Sequence, residues 1–328
     1  MKTFLLKYLT CPICQDDRDF NLEVNLEKGD EIISGKLTCP QEHIFHIVDS
    51  VPVMLAGKEE ADSKKAFSEQ WQFRYAGKFE KENRVFWLEN SASIKYLGDK
   101  VSNEFKKDDL VLDAGCGSGE KARLIAQTYP QIHMIAMDFS NTIGQFARKS
   151  EGVKNLHILQ GDVSNPPFKK HIFNTIISIG VVHHTPDTYT AFRSLARLVA
   201  KGGQFITWIY PHYSESPAFQ KLYYIIRDIL FLGQGYKIPA KTRLYLLKVL
   251  CIPALLFSPV YLFSKFINKE LLKGMDLLDF YNGFVFMVYD DISPKFQYRH
   301  KTEEVFGWYR ENDLGNVKEF DKGFFVGF

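Results

Sequence analysis

At 328 residues the chain is long enough for one large domain and a small one. Hydrophobic residues make up 45% and charged residues 24%, which excludes a disordered or fibrous chain and leaves a globular one with a real core. A formal net charge of +2 excludes a global field that would gather a polyanion, so affinity for nucleic acid or a membrane has to come from a local patch.

Residues 1–56 read as a compact β-rich module of short strand-like runs, with Cys11-Pro-Ile-Cys14 at one end and Cys39-Pro-Gln-Glu-His43 at the other. Three thiolates and one imidazole in this pattern suit tetrahedral Zn²⁺, with His46 as the substitute for His43. Four protein ligands leave no open coordination position, so the expected role is structural. A site that has lost its metal is the alternative. Three of the five cysteines fall within the first 39 residues, and the start Met1-Lys2-Thr3-Phe4 has neither the apolar core nor the cleavage site of a signal peptide. The expectation is a reducing, cytoplasmic setting, with metal ligation favoured over disulfides.

The polar stretch from Gly57 to Lys65 reads as a linker or an exposed helix start. Beyond it Phe67, Trp71, Tyr75, Phe79, Phe86 and Trp87 recur at roughly helical spacing. The expected organisation is a module over 1–56, linker and helices over 57–107, and a main domain over 108–328 carrying a helical insertion at 214–289.

From Leu110 to Ile209 apolar strands alternate with amphipathic helices, which predicts a doubly wound α/β fold around a parallel sheet. Val111-Leu-Asp113-Ala-Gly115-Cys-Gly117-Ser-Gly119 follows a strand and opens a helix. Its glycines let the backbone approach a ligand where a Cβ would collide. The G-x-G-x-G spacing, with an acid ending the strand before it, suits a cationic amino-acid ligand better than a pyrophosphate; a purely structural turn is the competing reading. Asp138 ends the second strand, where a carboxylate can accept both hydroxyls of a ribose, and Gly161-Asp162 ends the third, where an adenine edge can be read.

The combination of LDAGCGSG, the MDFS turn, LQGDVSNPPF and ISIGVVHHTPDTYTAFRSLARLVAKGGQF resembles class I S-adenosylmethionine-dependent methyltransferases over roughly residues 108–209. The resemblance implies that Asp113, Gly115 and Gly117, with Gly119 closing the motif, hold the methionine part of the cofactor. It assigns Asp138 to the ribose and Asp162 with Val163 to the adenine, and Phe139 and Ile179 complete the cofactor-binding set. It also implies a seven-stranded sheet with an antiparallel last strand. Phe67-Ser-Glu-Gln-Trp71 resembles a segment that closes over the cofactor in some of these enzymes, although Trp71 fits a packed core aromatic as well. CPQEHIFHI resembles the zinc domain of a bacterial ribosomal RNA guanine methyltransferase. Five Lys or Arg against nine Asp or Glu in residues 1–56 argue against RNA there, because phosphate binding needs local positive charge.

On the acceptor side, Val182-His183-His184-Thr185-Pro186-Asp187 follows the fourth strand, and Tyr210-Pro-His212-Tyr213 follows the fifth. His184 is the first candidate for positioning the acceptor or removing its proton, ahead of His183, Tyr210 and His212, with hydrogen-bonded structural roles as the alternative. Residues 214–275 carry nine Lys or Arg against three Asp or Glu on an apolar background. They read as a cap over the substrate pocket that a homodimer partner could share, as a membrane-surface element, or as a plain core extension. A cap would point its basic residues outward or toward an anionic group on the acceptor. Asp290 to His300 resembles a substrate-facing loop. The expected activity is methyl transfer to a small-molecule, lipid-linked or natural-product acceptor. An RNA methyltransferase and a non-catalytic S-adenosylmethionine-binding partner subunit are the contrasting readings.

Overall fold

A computed structural model of the chain describes residues 1–57, 61–77, 105–215, 221, 225, 227, 235–252 and 277–328. The chain divides into two compact units, one formed by Met1–Lys64, Ser91–Ser216 and Phe296–Phe328, the other by Lys65–Asn90 and Pro217–Lys295.

The first unit is built on one sheet. Its parallel strands β5 (Leu110–Ala114), β6 (His133–Asp138), β7 (Leu156–Gly161) and β8 (Phe173–Ile179) are short and mostly buried. Such strands are covered by helices on both faces, which is why they read as continuous apolar runs rather than alternating ones. β9 (Val199–Trp208) continues the parallel set, and β11 (Phe324–Gly327) lies antiparallel between β9 and β10 (Lys318–Asp321).

Among the described residues the expected seven strands are eleven, in the order β1-β2-β3-β4-β7-β6-β5-β8-β9-β11-β10. The excess comes from the N-terminal module, whose strands β1 (Asn21–Lys28), β2 (Glu31–Thr38), β3 (Ile44–Val48) and β4 (Val51–Met54) form an antiparallel meander. β4 then pairs in parallel with β7 through Val53 opposite Gln160 and Met54 opposite Gly161. An open sheet leaves a row of unpaired backbone groups at its edge, and β4 satisfies that row on β7. The module and the α/β core therefore share one apolar interior, in which Leu5, Leu9, Cys11, Leu37 and Phe45 pack in the same cluster as Leu112, Leu159 and Phe168.

α1 (Ala61–Tyr75) follows β4. In the α/β core, α2 (Glu120–Thr128) and α3 (Ile143–Lys149) alternate with β5, β6 and β7. α4 (Thr188–Ala196) begins at Asp187, whose side chain accepts the Thr190 N–H, the usual service of an aspartate at a helix start. The connection reverses direction between β5 and β8, so the crevice at the carboxyl ends of these strands is the expected ligand site of such a fold.

In the second unit, α5 (Ala240–Leu250) packs on α6 (Leu277–Ile292) through Leu244, Leu247 and Cys251 against Val285, Val288, Tyr289 and Ile292. Two of its basic residues point inward. Arg243 is buried and donates to the Tyr289 hydroxyl at 3.1 Å, and Arg227 pairs with Asp291 at 3.3 Å. Trp71 sits in this unit with its ring 6.4 Å from that of Phe286. Phe79, Phe86, Trp87 and most of the expected 214–275 insertion lie outside the described residues. Among the described residues no helix is long and apolar enough to cross a membrane. α7 (Thr302–Glu311) precedes β10 in the first unit.

Candidate active site

The glycine loop leaves β5 at Ala114 and is tied back to β6, because the Gly115 and Cys116 N–H groups both donate to the Met137 carbonyl. Gly115 has φ +81°, and a Cβ there would stand 2.5 Å from Val181 Cγ1, so both conformation and space call for glycine. Gly119, also at φ +81°, would drive a side chain into the Phe146 ring.

Asp138 is buried, and its carboxylate is already engaged. Oδ2 accepts the Gly117 N–H and Oδ1 the Ser140 N–H, each at 2.8 Å. The acid expected to hold a ribose thus also joins the glycine loop to the turn after β6, leaving its second lone pairs for a ligand. That turn carries Phe139 and is held from the next strand by Gln160, whose amide donates to the Phe139 and Ser140 carbonyls at 3.0 Å each. Gln160 escaped the sequence reading. Asp162 accepts the Ser164 N–H through Oδ1, and Val163 beside it is buried. Ile179 ends β8 directly before Gly180 and Val181.

Asp113 is fully enclosed, with its Oδ1 2.8 Å from Lys121 Nζ. Burial pushes its carboxyl pKa up and the Lys121 charge opposes the shift. Lys121 was the second residue missed, although a lysine on the buried face of α2, beside Ala122 and Ile125, was its one signal.

His183 and His184 form a short 3₁₀ turn after β8 and have different surroundings. His183 is wholly buried, its ring centroid 4.0 Å from that of Tyr210, and its Nδ1 accepts the Tyr210 N–H at 3.4 Å. This leaves Nε2 carrying the proton, without a hydrogen-bond partner among the described residues. Burial holds its pKa well below the usual histidine value, so the ring is neutral at pH 7. His184 donates from Nδ1 to the Phe296 carbonyl at 3.0 Å, because a carbonyl can only accept. That contact fixes the tautomer, with the proton on Nδ1.

The expected Asp290–His300 loop is helical up to Ile292, and its end joins this group. Tyr298 N–H donates to the His183 carbonyl, His300 N–H to that of Tyr210, and His212 N–H to that of His300. The Arg299 guanidinium stands 4.8 Å above the Tyr210 ring and 4.9 Å above that of Tyr213. His212 turns aside, its Nδ1 hydrogen-bonded to Ser214 at 2.8 Å.

In the N-terminal module Cys11, Cys14, Cys39 and His43 present donor atoms all within 4.8 Å of one another. The separations are 3.3 Å for Cys39 Sγ to His43 Nδ1, 3.6 Å for Cys11 Sγ to the same nitrogen, and 3.9 Å for Cys14 Sγ to Cys39 Sγ. Tetrahedral zinc with ordinary bond lengths places such atoms about 3.6 to 3.8 Å apart, so the donor set fits that ion. Burial works against a thiolate at Cys39, but backbone donors at His43 and Gln41 outweigh it and bring its pKa down to about 7. His46 is exposed on β3 opposite Lys36, away from the cluster.

Residues 111–203 match the family described as a methyltransferase domain. Within those residues the chain carries a methyltransferase domain. Among curated proteins the chain is 29% identical over 119 residues to the probable tRNA methyltransferase 9B of Mus musculus, covering 35% of this chain and 25% of that protein. It is 29% identical over 146 residues to the demethylmenaquinone methyltransferase of Lactococcus lactis, covering 38% of this chain and 58% of that one. The chain therefore spans about a quarter of the first relative's length and just over half of the second's. Magnesium protoporphyrin IX methyltransferase from Synechocystis, solved with bound SAH, aligns over 80% of this chain and 94% of its own at 14% identity, with a TM-score of 0.45.

Proposed function

We propose that this protein transfers the methyl group of S-adenosylmethionine to a small, apolar or lipid-linked acceptor. The observation that carries the cofactor half is the convergence of Gly115, Gly117, Asp138 and Asp162 at the carboxyl ends of three neighbouring strands, with Asp138 accepting a backbone N–H from the glycine loop itself. In this reading the loop glycines take the methionine part, Asp138 and Phe139 the ribose and its surroundings, and Asp162 with Val163 the adenine, while Asp113, enclosed and paired with Lys121, supports the loop from beneath instead of touching the ligand as expected.

The sulfonium leaving group is already activated, so the work left to the protein is alignment of the acceptor and removal of its proton where one must leave. His184, with its Nε2 lone pair set by the Phe296 carbonyl, serves as positioning group or base. His183, kept neutral and packed against Tyr210 with the rings tilted by 30°, orients that ring. The acceptor class is supported by α5, which exposes Tyr245, Leu246, Val249 and Leu250, with Ile252 just beyond it, beside Lys241. An apolar surface of this kind with nearby cations suits a lipid-like molecule or the surface carrying it. The four-donor cluster holds zinc in a structural role.

Two measurements test this. Calorimetry with S-adenosylhomocysteine should show binding that Asp138→Ala weakens by about 1–3 kcal/mol, the range for losing a charged hydrogen-bond partner. Methyl-labelled S-adenosylmethionine incubated with cell extract should label the solvent-extractable fraction; label confined to RNA would overturn the acceptor assignment.

A further inference from the structure

The loop that follows β7, from Asp162 to Lys169, contains Pro166 and Pro167, which have no N–H groups, and its own backbone bonds are few, from the Asn165 N–H to the Asp162 carbonyl and from the Phe168 N–H to the Pro166 carbonyl. It is completed from the N-terminal module. Thr10 N–H donates to the Pro167 carbonyl at 3.1 Å, Lys169 N–H donates to the Tyr8 carbonyl at 2.9 Å, and Leu9 bridges Phe168, with both of these side chains buried. The next residue in the chain is Cys11. On the other side of Asp162, Gly161 and Gln160 pair with Met54 and Val53 of β4, which follows β3, which in turn begins directly after His43. Gln160 also holds the Phe139 turn. Asp162 and Val163 therefore lie between two contacts with the module, one directly beside Cys11 and the other on β4, the second strand of the hairpin that begins after His43.

We propose that this cluster and the adenine loop form one coupled device, in which a zinc ion held by Cys11, Cys14, Cys39 and His43 sets Asp162–Phe168 in its cofactor-binding geometry. The inference rests on the zinc and cofactor readings above and adds a dependence between them. When the metal leaves, Cys11 is released from His43 and Cys39, and Thr10 and Tyr8 lose the anchor that keeps them against Pro167 and Lys169. Coupling of two binding sites is reciprocal, so cofactor in the loop must in turn tighten the hold on the metal.

The experiment uses the full chain with S-adenosylhomocysteine as probe. Zinc content is measured by mass spectrometry, and the dissociation constant by calorimetry before and after stripping with a chelator. Stripping should weaken binding about tenfold, within the ordinary range of site-to-site coupling, and saturating S-adenosylhomocysteine should lower the zinc dissociation constant by the same factor. Leu9→Ala keeps all four ligands while loosening the contact with Phe168; it should retain zinc yet bind the probe several-fold more weakly. Equal affinity with and without metal overturns the coupling alone. If stripping unfolds the chain, unchanged affinity in zinc-loaded Leu9→Ala overturns it. Wild-type protein that binds the probe fully but never contains zinc overturns the metal reading and the coupling together, whereas zinc-loaded protein that ignores the probe overturns the cofactor reading.

Discussion

Lys121 Nζ lies 2.8 Å from Asp113 Oδ1, and the two side chains are 7% and 0% exposed, so a charge pair stands inside the protein directly under the glycine loop. Removing one member of such a pair leaves the other as an uncompensated buried charge.

Lys121→Met should therefore destabilise the cofactor-free protein by up to about 3 kcal/mol at neutral pH, read from the urea midpoint. The loss should depend on pH in a particular direction. Burial already raises the Asp113 pKa, and without the lysine it rises further, so the folded state binds more protons than the unfolded state above the usual carboxylate range. The variant's deficit should shrink toward pH 5 and grow toward pH 8. A pH-independent deficit would mean that Asp113 is not carrying the charge.

His157 supplies a second pH test. Burial pushes its pKa from 6.5 to about 3, with the nearby Lys2 adding to the effect, and its ring lies against Phe4 at 4.7 Å. Between these two values the unfolded chain takes up a proton that the native chain refuses, so stability falls as pH drops from 6.5 toward 3. At pH 5 this site accounts for about 2 kcal/mol. His157→Gln should flatten the acid limb of a stability-against-pH curve, and an unchanged limb would count against the assignment.

The cluster geometry separates two histidines that sequence spacing leaves as alternatives. His43→Ala should lower zinc content to near zero, while His46→Ala, exposed on β3, should leave it at one ion per chain. The opposite result, read by metal analysis of both purified variants, would place the fourth ligand on β3.

His184→Ala should lower turnover about a hundredfold, the lower end for losing a general base, while S-adenosylhomocysteine affinity stays within about twofold. Single-turnover kinetics with a labelled acceptor, paired with calorimetry, measures both. Loss of cofactor affinity without loss of turnover would make the residue part of the cofactor pocket.

What the sequence determined by itself is whatever local chemistry dictates. Glycines at 115, 117 and 119 announce a backbone that must turn where a Cβ cannot go, and continuous apolar runs such as Leu110–Ala114 announce strands covered on both faces. The Cys11–His43 spacing brought three thiolates and one imidazole into view, because ligand types and turn residues are written next to one another along the chain. The tertiary structure alone decided what depends on distant partners. The strand-like runs of residues 1–56 say nothing of the pairing of Val53 and Met54 with Gln160 and Gly161, more than a hundred residues on, so the module read as separate while the sheet among the described residues ran on to eleven strands. The two adjacent histidines look alike in sequence and differ only through what encloses them, Tyr210 for one and the Phe296 carbonyl for the other. Lys121 shows along the chain only its place on the face of α2 that carries Ala122 and Ile125, and the fold alone closes Asp113 beneath it, because charge pairing belongs to the packed interior.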